Sequence, residues 1–298
     1  MYKQTGKYGP IVKWVGGKRQ LLPSLLAHVP KRIATYVEPF AGGAALFFEL
    51  CNRQERNEGT FERAILCDQN DDLLACYRAV QRDPSSLIDA LAIYHYDSDL
   101  FYEVRAQKTQ GWSDVARGAR FIFLNRTCFN GLWRVNSKGE FNVPFGRYKN
   151  PRIVDEKRLR AASEALARVE LRTGDFDDAV KGLTKNDFVY LDPPYVPVST
   201  TSNFTAYAKE GFGPKDQRRL LALMHRLSKG CVPFMLSNAD TEETRGLYRE
   251  FTIRGASASR LVNADGTKRG LVRELIVLPR APRKKTAATQ QAFDWEHE

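Results

Sequence analysis

Apolar residues in this chain fall into short runs that stop abruptly at polar residues, and into stripes with helical spacing. The runs are Tyr36-Val37-Glu38, Ala64-Ile65-Leu66-Cys67 before Asp68, Val169 to Arg172 before Thr173-Gly174-Asp175, Phe188 to Leu191 before Asp192, and Val232 to Leu236 before Ser237-Asn238. Runs of this length, closed by acids, glycine or proline, read as buried strands. Phe251 to Ser259 and Leu271 to Leu278 read as two further strands, joined by a loop containing Asn263, Asp265, Gly266, Lys268 and Arg269. The count is then about seven strands, the last two a hairpin.

Between the strands lie helical stripes: Leu21, Leu22, Leu25, Leu26 and Val29; Leu46, Phe47 and Leu50; Leu220, Leu223, Met224 and Leu227; and a helix near Glu242 to Arg249. Strands alternating with helices predict an α/β fold with a doubly wound, mixed seven-stranded, Rossmann-like sheet. The alternation is suspended between about 76 and 166, where helical stripes follow one another without a strand. This predicts an inserted, largely helical domain at 76–166, leaving 1–75 and 167–280 as the sheet domain. Val196 to Gly213 reads as a polar loop placed to move over the strand ends, and the polar residues 281–298 as a disordered tail.

The composition, 43% hydrophobic and 27% charged over 298 residues, is that of an ordinary globular protein. No apolar run reaches membrane-spanning length, the start has no apolar signal core, and the five cysteines are scattered. A soluble cytoplasmic protein with reduced thiols is expected. The histidines are scattered too, so no metal site is expected. Net charge is +11 and unevenly placed: Met1 to Val37 carries seven basic residues and no acid, and Arg117 to Arg152 carries eight against Glu140 alone. Such clustering points to a polyanion, most economically nucleic acid.

Candidate chemistry sits at the strand ends. Asp192-Pro193-Pro194-Tyr195 combines a carboxylate, outward carbonyls on a rigid turn and an aromatic face, a set suited to a flat heterocycle with an exocyclic amino group. Upstream, Glu38-Pro39-Phe40-Ala41-Gly42-Gly43 is a strand, glycine-rich turn and helix start, matching neither a dinucleotide fingerprint nor a P-loop. Asp68, ending the second strand, stands where this topology binds ribose hydroxyls. Together these features specify an adenosine-containing ligand without a pyrophosphate clamp. Lys13-Trp14-Val15-Gly16-Gly17-Lys18 adds close backbone approach, a stacking ring and a cation. The segment Asn125 to Arg134, followed by Gly139 to Tyr148, interleaves aromatics, amides and arginines on glycine-punctuated loops. Such residues can wedge between bases, read their edges and grip phosphates; an ordinary β-hairpin with surface arginines has the same look.

In the order Lys13-Trp14-x-Gly-Gly-Lys18, Glu38-Pro39-Phe40-x-Gly-Gly, inserted domain, Asp192-Pro-Pro-Tyr195, the chain resembles the DNA adenine methyltransferase (Dam) family, from about Lys13 to Leu278. N-G-L-x-R at 130–134, G-E-F-N-V-P-F-G at 139–146 and S-N-F-T-x-Y at 202–207 extend the resemblance. It implies a methyltransferase sheet with an inserted target-recognition domain, and methyl transfer from S-adenosylmethionine to adenine N6 in double-stranded DNA; the match of N-G-L-x-R and Lys13 to guanine-reading positions makes GATC the expected site, on which, being symmetric, a monomer acting twice suffices. By position, Trp14, Lys18, Phe40, Gly42, Asp68, Asp175, Phe176 and Asp192 resemble cofactor contacts. Asp192, Pro193, Pro194 and Tyr195 resemble the catalytic motif. Lys13 and Arg134 resemble guanine readers, Leu132 an apolar base contact, Asn130 a neighbour of the extruded nucleotide and Phe129 an aromatic wedge, with Arg126 in the same DNA-binding segment. Cytosine-N4 methylation, which poses the same amino-group problem, and a non-catalytic DNA-binding relative are the alternatives; Phe40, Gly42, Asp68 and Asp192 together argue against decay of the site.

Overall fold

Alternation of side chains along each strand splits the apolar residues between two faces, and the sheet is covered on both. In a computed structural model, which describes residues 6–195, 212–259 and 271–280, the strands are β1 (Arg32–Glu38), β2 (Thr60–Asp68), β3 (Val169–Thr173), β4 (Phe188–Leu191), β5 (Phe234–Ala239), β6 (Thr252–Ser259) and β7 (Leu271–Leu278). They form one seven-stranded sheet in the order β3-β2-β1-β4-β5-β7-β6. Neighbours among β1 to β5 are parallel, and β7 runs antiparallel between β5 and β6. The mixed, doubly wound α/β sheet expected from the sequence is therefore present. Strand order reverses between β1 and β4, so the crevice beyond their carboxyl ends is the topological switch point where such sheets bind ligands.

Tyr36, Leu66, Phe188, Tyr190, Met235 and Ile276 face one core; Val37, Ile65, Cys67, Val189, Leu191, Leu236 and Val277 face the other. The second face is covered by α8 (Phe176–Ala179), α9 (Pro214–Lys229) and residues around α10 (Glu242–Leu247). The first is covered by α1 (Leu22–Leu26), α2 (Ala45–Glu55) and the helices between β2 and β3: α3 (Asp71–Arg82), α4 (Pro84–Ala92), α5 (Ser98–Ala106), α6 (Asp114–Thr127) and α7 (Glu156–Leu166). These helices start at side-chain caps. Asn70, Asp83, Asp97, Ser113 and Asp155 each accept an N–H from the first turn of α3 to α7 respectively, satisfying donors that a helix start otherwise leaves unpaired.

The helical segment shares its core with the sheet. Phe121, Phe123, Trp133 and Phe141 belong to the same apolar cluster as Tyr36, Phe47 and Leu66. Arg120, buried in α6, ties it to α5 by donating to the carbonyls of Val104 (3.0 Å) and Arg105 (2.9 Å) at the C-terminal end of that helix, where a cation meets the negative pole of the dipole.

Several boundaries differ from the sequence reading. β1 and β2 begin at Arg32 and Thr60, well before their apolar runs, because Arg32 pairs with Thr60 at the solvent-facing end of the ladder, where no apolar pattern is needed. β5 begins at Phe234, since Pro233 has no N–H, and it takes in Ser237 and Asn238, both fully buried. The stripe from Leu21 to Val29 forms only the short α1, preceded by a 3-10 turn (Lys18–Gln20). The expected loop over the strand ends, with its S-N-F-T-x-Y segment, falls almost wholly at 196–211, outside the described residues, as do the loop at 260–270 and the tail at 281–298.

Trp133 is 3% exposed, its ring 3.8 Å from that of Phe121 and 4.6 Å from that of Phe141. Trp133→Ala removes the largest apolar anchor of the segment after α6. The expected cost is about 3–5 kcal/mol of stability, read as a lower denaturation midpoint by circular dichroism.

Candidate active site

The carboxyl ends of the parallel strands present a row of polar side chains: Asp175 just past β3, Asp68 at the end of β2, Glu38 at the end of β1, Asp192 just past β4, and Ser237 within β5. The strands that carry them, buried throughout in β4 and β5 and at the carboxyl half of β1 and β2, fix their height relative to one another.

Asp192 is held on one oxygen. Its Oδ1 meets Lys18 Nζ at 2.7 Å and accepts from Ser237 Oγ at 2.9 Å, and Ser237 Oγ lies 2.9 Å from the Tyr190 hydroxyl. Lys18, 4% exposed, also donates to the Gly16 carbonyl at 2.7 Å. Oδ2 has no hydrogen-bond partner among the described residues. Burial raises the Asp192 carboxyl above its ordinary range, with Lys18 and Ser237 opposing that rise. Pro193 is buried and Pro194 half-buried. The Tyr195 ring lies 4.6 Å from Lys18 Nζ, and its hydroxyl donates to Glu274 on β7. The aromatic face of Tyr195 is thus clamped from both ends beside Asp192.

On the neighbouring strands, Asp68 Oδ2 accepts from the Gly42 N–H at 3.0 Å and Oδ1 from the Asn70 N–H at 2.9 Å; burial raises this carboxyl and those N–H groups oppose it. Gly42 has φ +46°, and a Cβ there would lie 2.5 Å from Trp14 Nε1, so only glycine admits the indole against the turn. Phe40 stacks on Phe176 at 5.2 Å, with Phe212 at 5.7 Å on its edge. Phe176 is itself buried, and the Arg219 guanidinium sits 4.7 Å from its ring. Burial alone would raise Asp175, but Arg219 (2.6 Å), the Asp177 N–H (3.0 Å) and Gln69 (3.3 Å) bring its carboxyl below the usual range. Trp14, Lys18, Phe40, Gly42, Asp68, Asp175, Phe176 and Asp192 therefore line one continuous strand-end edge.

Glu38, 2% exposed, accepts from the Tyr36 hydroxyl at 2.6 Å and from the Phe47 N–H at 2.8 Å. The latter is an N-terminal donor of α2, whose own N-cap, Ala44, has no capping side chain. Burial pushes the Glu38 carboxyl up to about 8, with the nearby Asp192 charge adding to the rise.

The segment expected to meet DNA folds as the end of α6, a 3-10 turn (Phe129–Gly131) and two isolated bridges, Cys128 with Phe145 and Val135 with Phe141. Phe129 is 40% exposed, Asn130 is exposed at φ 55°, Leu132 is half-buried, and Arg134 is exposed with its Nε donating to Asn142 Oδ1 at 2.7 Å. Lys13 rests its ammonium 4.2 Å from the Tyr148 ring centroid, and burial, then Arg126, lowers its pKa. Phe129, Asn130, Leu132, Arg134 and Lys13 are thus gathered together. Arg126 differs: it is half-buried and donates to the Ile11 carbonyl at 2.6 Å, and its Nε is enclosed without a partner.

Comparison with known proteins decides the family. Residues 14–260 match the model for D12 class N6 adenine-specific DNA methyltransferases. The chain belongs to that family. It is 41% identical to the Type II methyltransferase M1.LlaDCHI of Lactococcus lactis subsp. cremoris over 276 residues, covering 90% of this chain and 94% of that one. It is 41% identical to Type II methyltransferase M.MjaIII of Methanocaldococcus jannaschii, with 87% and 94% covered. A DNA adenine methylase of Serratia marcescens is 35% identical, with 90% and 97% covered.

In this D12 class methyltransferase the strand ends also bring together Glu38, Ser237 and Glu274, which the sequence does not mark as site residues. Glu38 stood in a noted motif, and its rank as a strand-ending acid was the available signal. Ser237 was noted only as a strand end, and its contact with Asp192 arises from the pairing of β4 with β5. Glu274 faces Tyr195 through a strand 79 residues away, which no local pattern reveals. Among the described residues no group of His, Cys, Asp and Glu could hold a metal ion, and no helix is long and apolar enough to cross a membrane.

Glu38 yields a pH test. Its folded-state pKa of about 8 lies above the ordinary carboxylate value of 4.5, so its contribution to stability is fully present below the unfolded pKa and is lost as pH rises through the folded one. Glu38→Gln keeps an uncharged acceptor for the Phe47 N–H. Denaturation midpoints of the two proteins between pH 5 and 9 should diverge in favour of the variant as pH rises; parallel curves would show that Glu38 does not carry this proton.

Proposed function

We propose that this methyltransferase moves a methyl group from S-adenosylmethionine to N6 of an adenine turned out of double-stranded DNA, within GATC. The observation that carries the proposal is the division of labour on Asp192: Oδ1 is committed to Lys18 and Ser237, and Oδ2 has no partner among the described residues.

The strand-end edge suits the cofactor. Both Asp68 oxygens accept one backbone N–H each and retain lone pairs for two ribose hydroxyls. Phe40 and Phe212, backed by the buried Phe176, make an apolar shelf for a purine, and Asp175 at its rim is an acceptor for an amino group. The Gly42-Gly43 turn that borders this edge is held in shape by Trp14, which packs against its bare glycines. Bound there, the cofactor supplies an electrophilic sulfonium methyl.

An adenine within a duplex cannot reach this edge, so the base must be extruded at a cost of a few kcal/mol. Exposed Phe129, on its hydrogen-bonded turn, is the side chain suited to fill the gap in the stack. Tyr195, fixed by Glu274 and Lys18, sets the plane of the extruded base. Asp192 Oδ2 and the Pro193 carbonyl accept the two N6 hydrogens and draw the amino lone pair out of conjugation with the ring, so that nitrogen can attack in line. Burial biases Asp192 toward accepting the proton that the methylated nitrogen sheds. No covalent enzyme intermediate is needed, and the described cysteines other than Cys231 are buried. Specificity for GATC rests on Lys13 and Arg134 as readers of guanine edges, with Leu132 as an apolar contact. A monomer acting once per strand suffices on such a symmetric site.

With labelled cofactor, GATC-containing duplexes should take up methyl as N6-methyladenine on nucleoside analysis, and GATC-lacking duplexes should not. Equal labelling of both removes the sequence assignment, and labelled cytosine would replace adenine as the target. Asp192→Ala should abolish transfer while duplex binding persists. Arg134→Ala should lose about 1–3 kcal/mol of discrimination at one base pair only, measured as the ratio of kcat/KM on duplexes substituted singly at each position.

A further inference from the structure

Asn125 lies in the last turn of α6, and its side chain is fully buried although it is an amide. It spends that amide on two distant pieces of chain. Its Oδ1 accepts the Lys13 N–H at 2.8 Å; its Nδ2 donates to the Lys13 carbonyl at 2.8 Å and to the Gly131 carbonyl at 3.1 Å. Both polar groups of the Lys13 peptide unit are thus satisfied by one side chain 112 residues away, as a neighbouring strand would satisfy them. The contact continues through packing. Gly131 has φ +63°, and a Cβ there would fall 2.5 Å from Lys13 Cδ and 2.6 Å from Lys13 Cβ, so the lysine stem lies directly on the bare glycine backbone.

The two pieces so joined have different tasks. Gly131 is the centre of the Phe129 to Arg134 loop. Lys13 begins the turn whose next members are Trp14, packed against Gly42, and Lys18, on Asp192 Oδ1. We propose that Asn125 is a positioning residue that locks the DNA-reading loop to the turn holding Asp192, so that discrimination between sequences depends on this one buried amide. The proposal rests on the DNA-reading role assigned above to Lys13 and Arg134. A helix is a suitable site for such a lock, because it fixes one end of both hydrogen-bonded pieces to the core through Phe121, Leu124 and Cys128.

Three variants test it. Asn125→Asp keeps the shape and the acceptor for the Lys13 N–H but sets a carboxylate against the Lys13 and Gly131 carbonyls. Gly131→Ala displaces Lys13 from the other side and leaves Asn125 intact. Thr127→Val is the control for lost stability alone: it removes a buried hydroxyl bond to the Phe123 carbonyl in the same helix turn without touching either piece. Fluorescence anisotropy with a GATC duplex and singly substituted duplexes gives binding discrimination, and hydrogen exchange on the DNA-free protein gives the coupling. Asn125→Asp and Gly131→Ala should each lose about tenfold in discrimination, equivalent to about 1.4 kcal/mol. In Asn125→Asp the Gly17 and Leu132 amides should lose protection together. Thr127→Val should discriminate as the wild type does. Wild-type discrimination by Asn125→Asp, or a loss that Thr127→Val shares at equal thermal midpoint, overturns the proposal; methyl transfer by the wild-type protein is decided separately by the labelling assay.

Discussion

The ion pair between Lys18 and Asp192 is the contact on which the arrangement of the site depends. An ammonium that is 4% exposed and a carboxylate at a strand end are both costly to desolvate, and each is tolerated only because the other lies 2.7 Å away. Removing either would leave a buried charge uncompensated. The pair joins the N-terminal turn to the sheet at the β1–β4 switch point, and it uses one carboxylate oxygen while Ser237 shares that same atom. The other oxygen is thereby oriented without being consumed. A site assembled in this way spends its binding energy in advance on orientation, which is where amino-group methylation needs help, since adenine N6 is a poor nucleophile.

Around this pair the fold arranges two ligand regions with different chemistry. The strand ends on the Asp68 side carry acids and an aromatic shelf, beside the Gly42 turn packed against Trp14. The side formed by the end of α6 and the turn after it carries exposed aromatic, amide and basic groups. Both regions share one apolar core on the α2 face of the sheet, from Tyr36 and Phe47 through Phe121 to Trp133. A common core holds the two regions at a fixed separation, which the proposed transfer of an extruded base from one ligand to the other requires.

Much of this was legible in the sequence. The runs before Asp68 and Asp192 were apolar and the one before Asp175 alternated, so strand periodicity and terminal acids gave the sheet and placed those acids at its carboxyl edge. Long-range pairing was not legible. Ser237 and Glu274 reach Asp192 and Tyr195 only because β5 and β7 lie beside β4 in the sheet order, and nothing local to Ser237 marks it. Asn125 reads with the loop segment that runs to Arg134, but it lies in the last turn of α6 with its amide fully buried, a placement that depends on contacts with Lys13, 112 residues away. Arg126, grouped with DNA contacts on charge and location, is instead turned toward the Ile11 carbonyl, because a long side chain on a helix end can cover backbone as readily as it can reach solvent.

The most direct measurement is a crystal structure of the protein with S-adenosylhomocysteine and a GATC duplex. The expected result is an adenine outside the helix, its ring on Tyr195 and its N6 bonded to Asp192 Oδ2 and the Pro193 carbonyl, with Oδ1 still on Lys18 and Ser237. An adenine that remains stacked, or an N6 bonded to Oδ1 after Lys18 has withdrawn, would contradict the division of labour on which the mechanism stands.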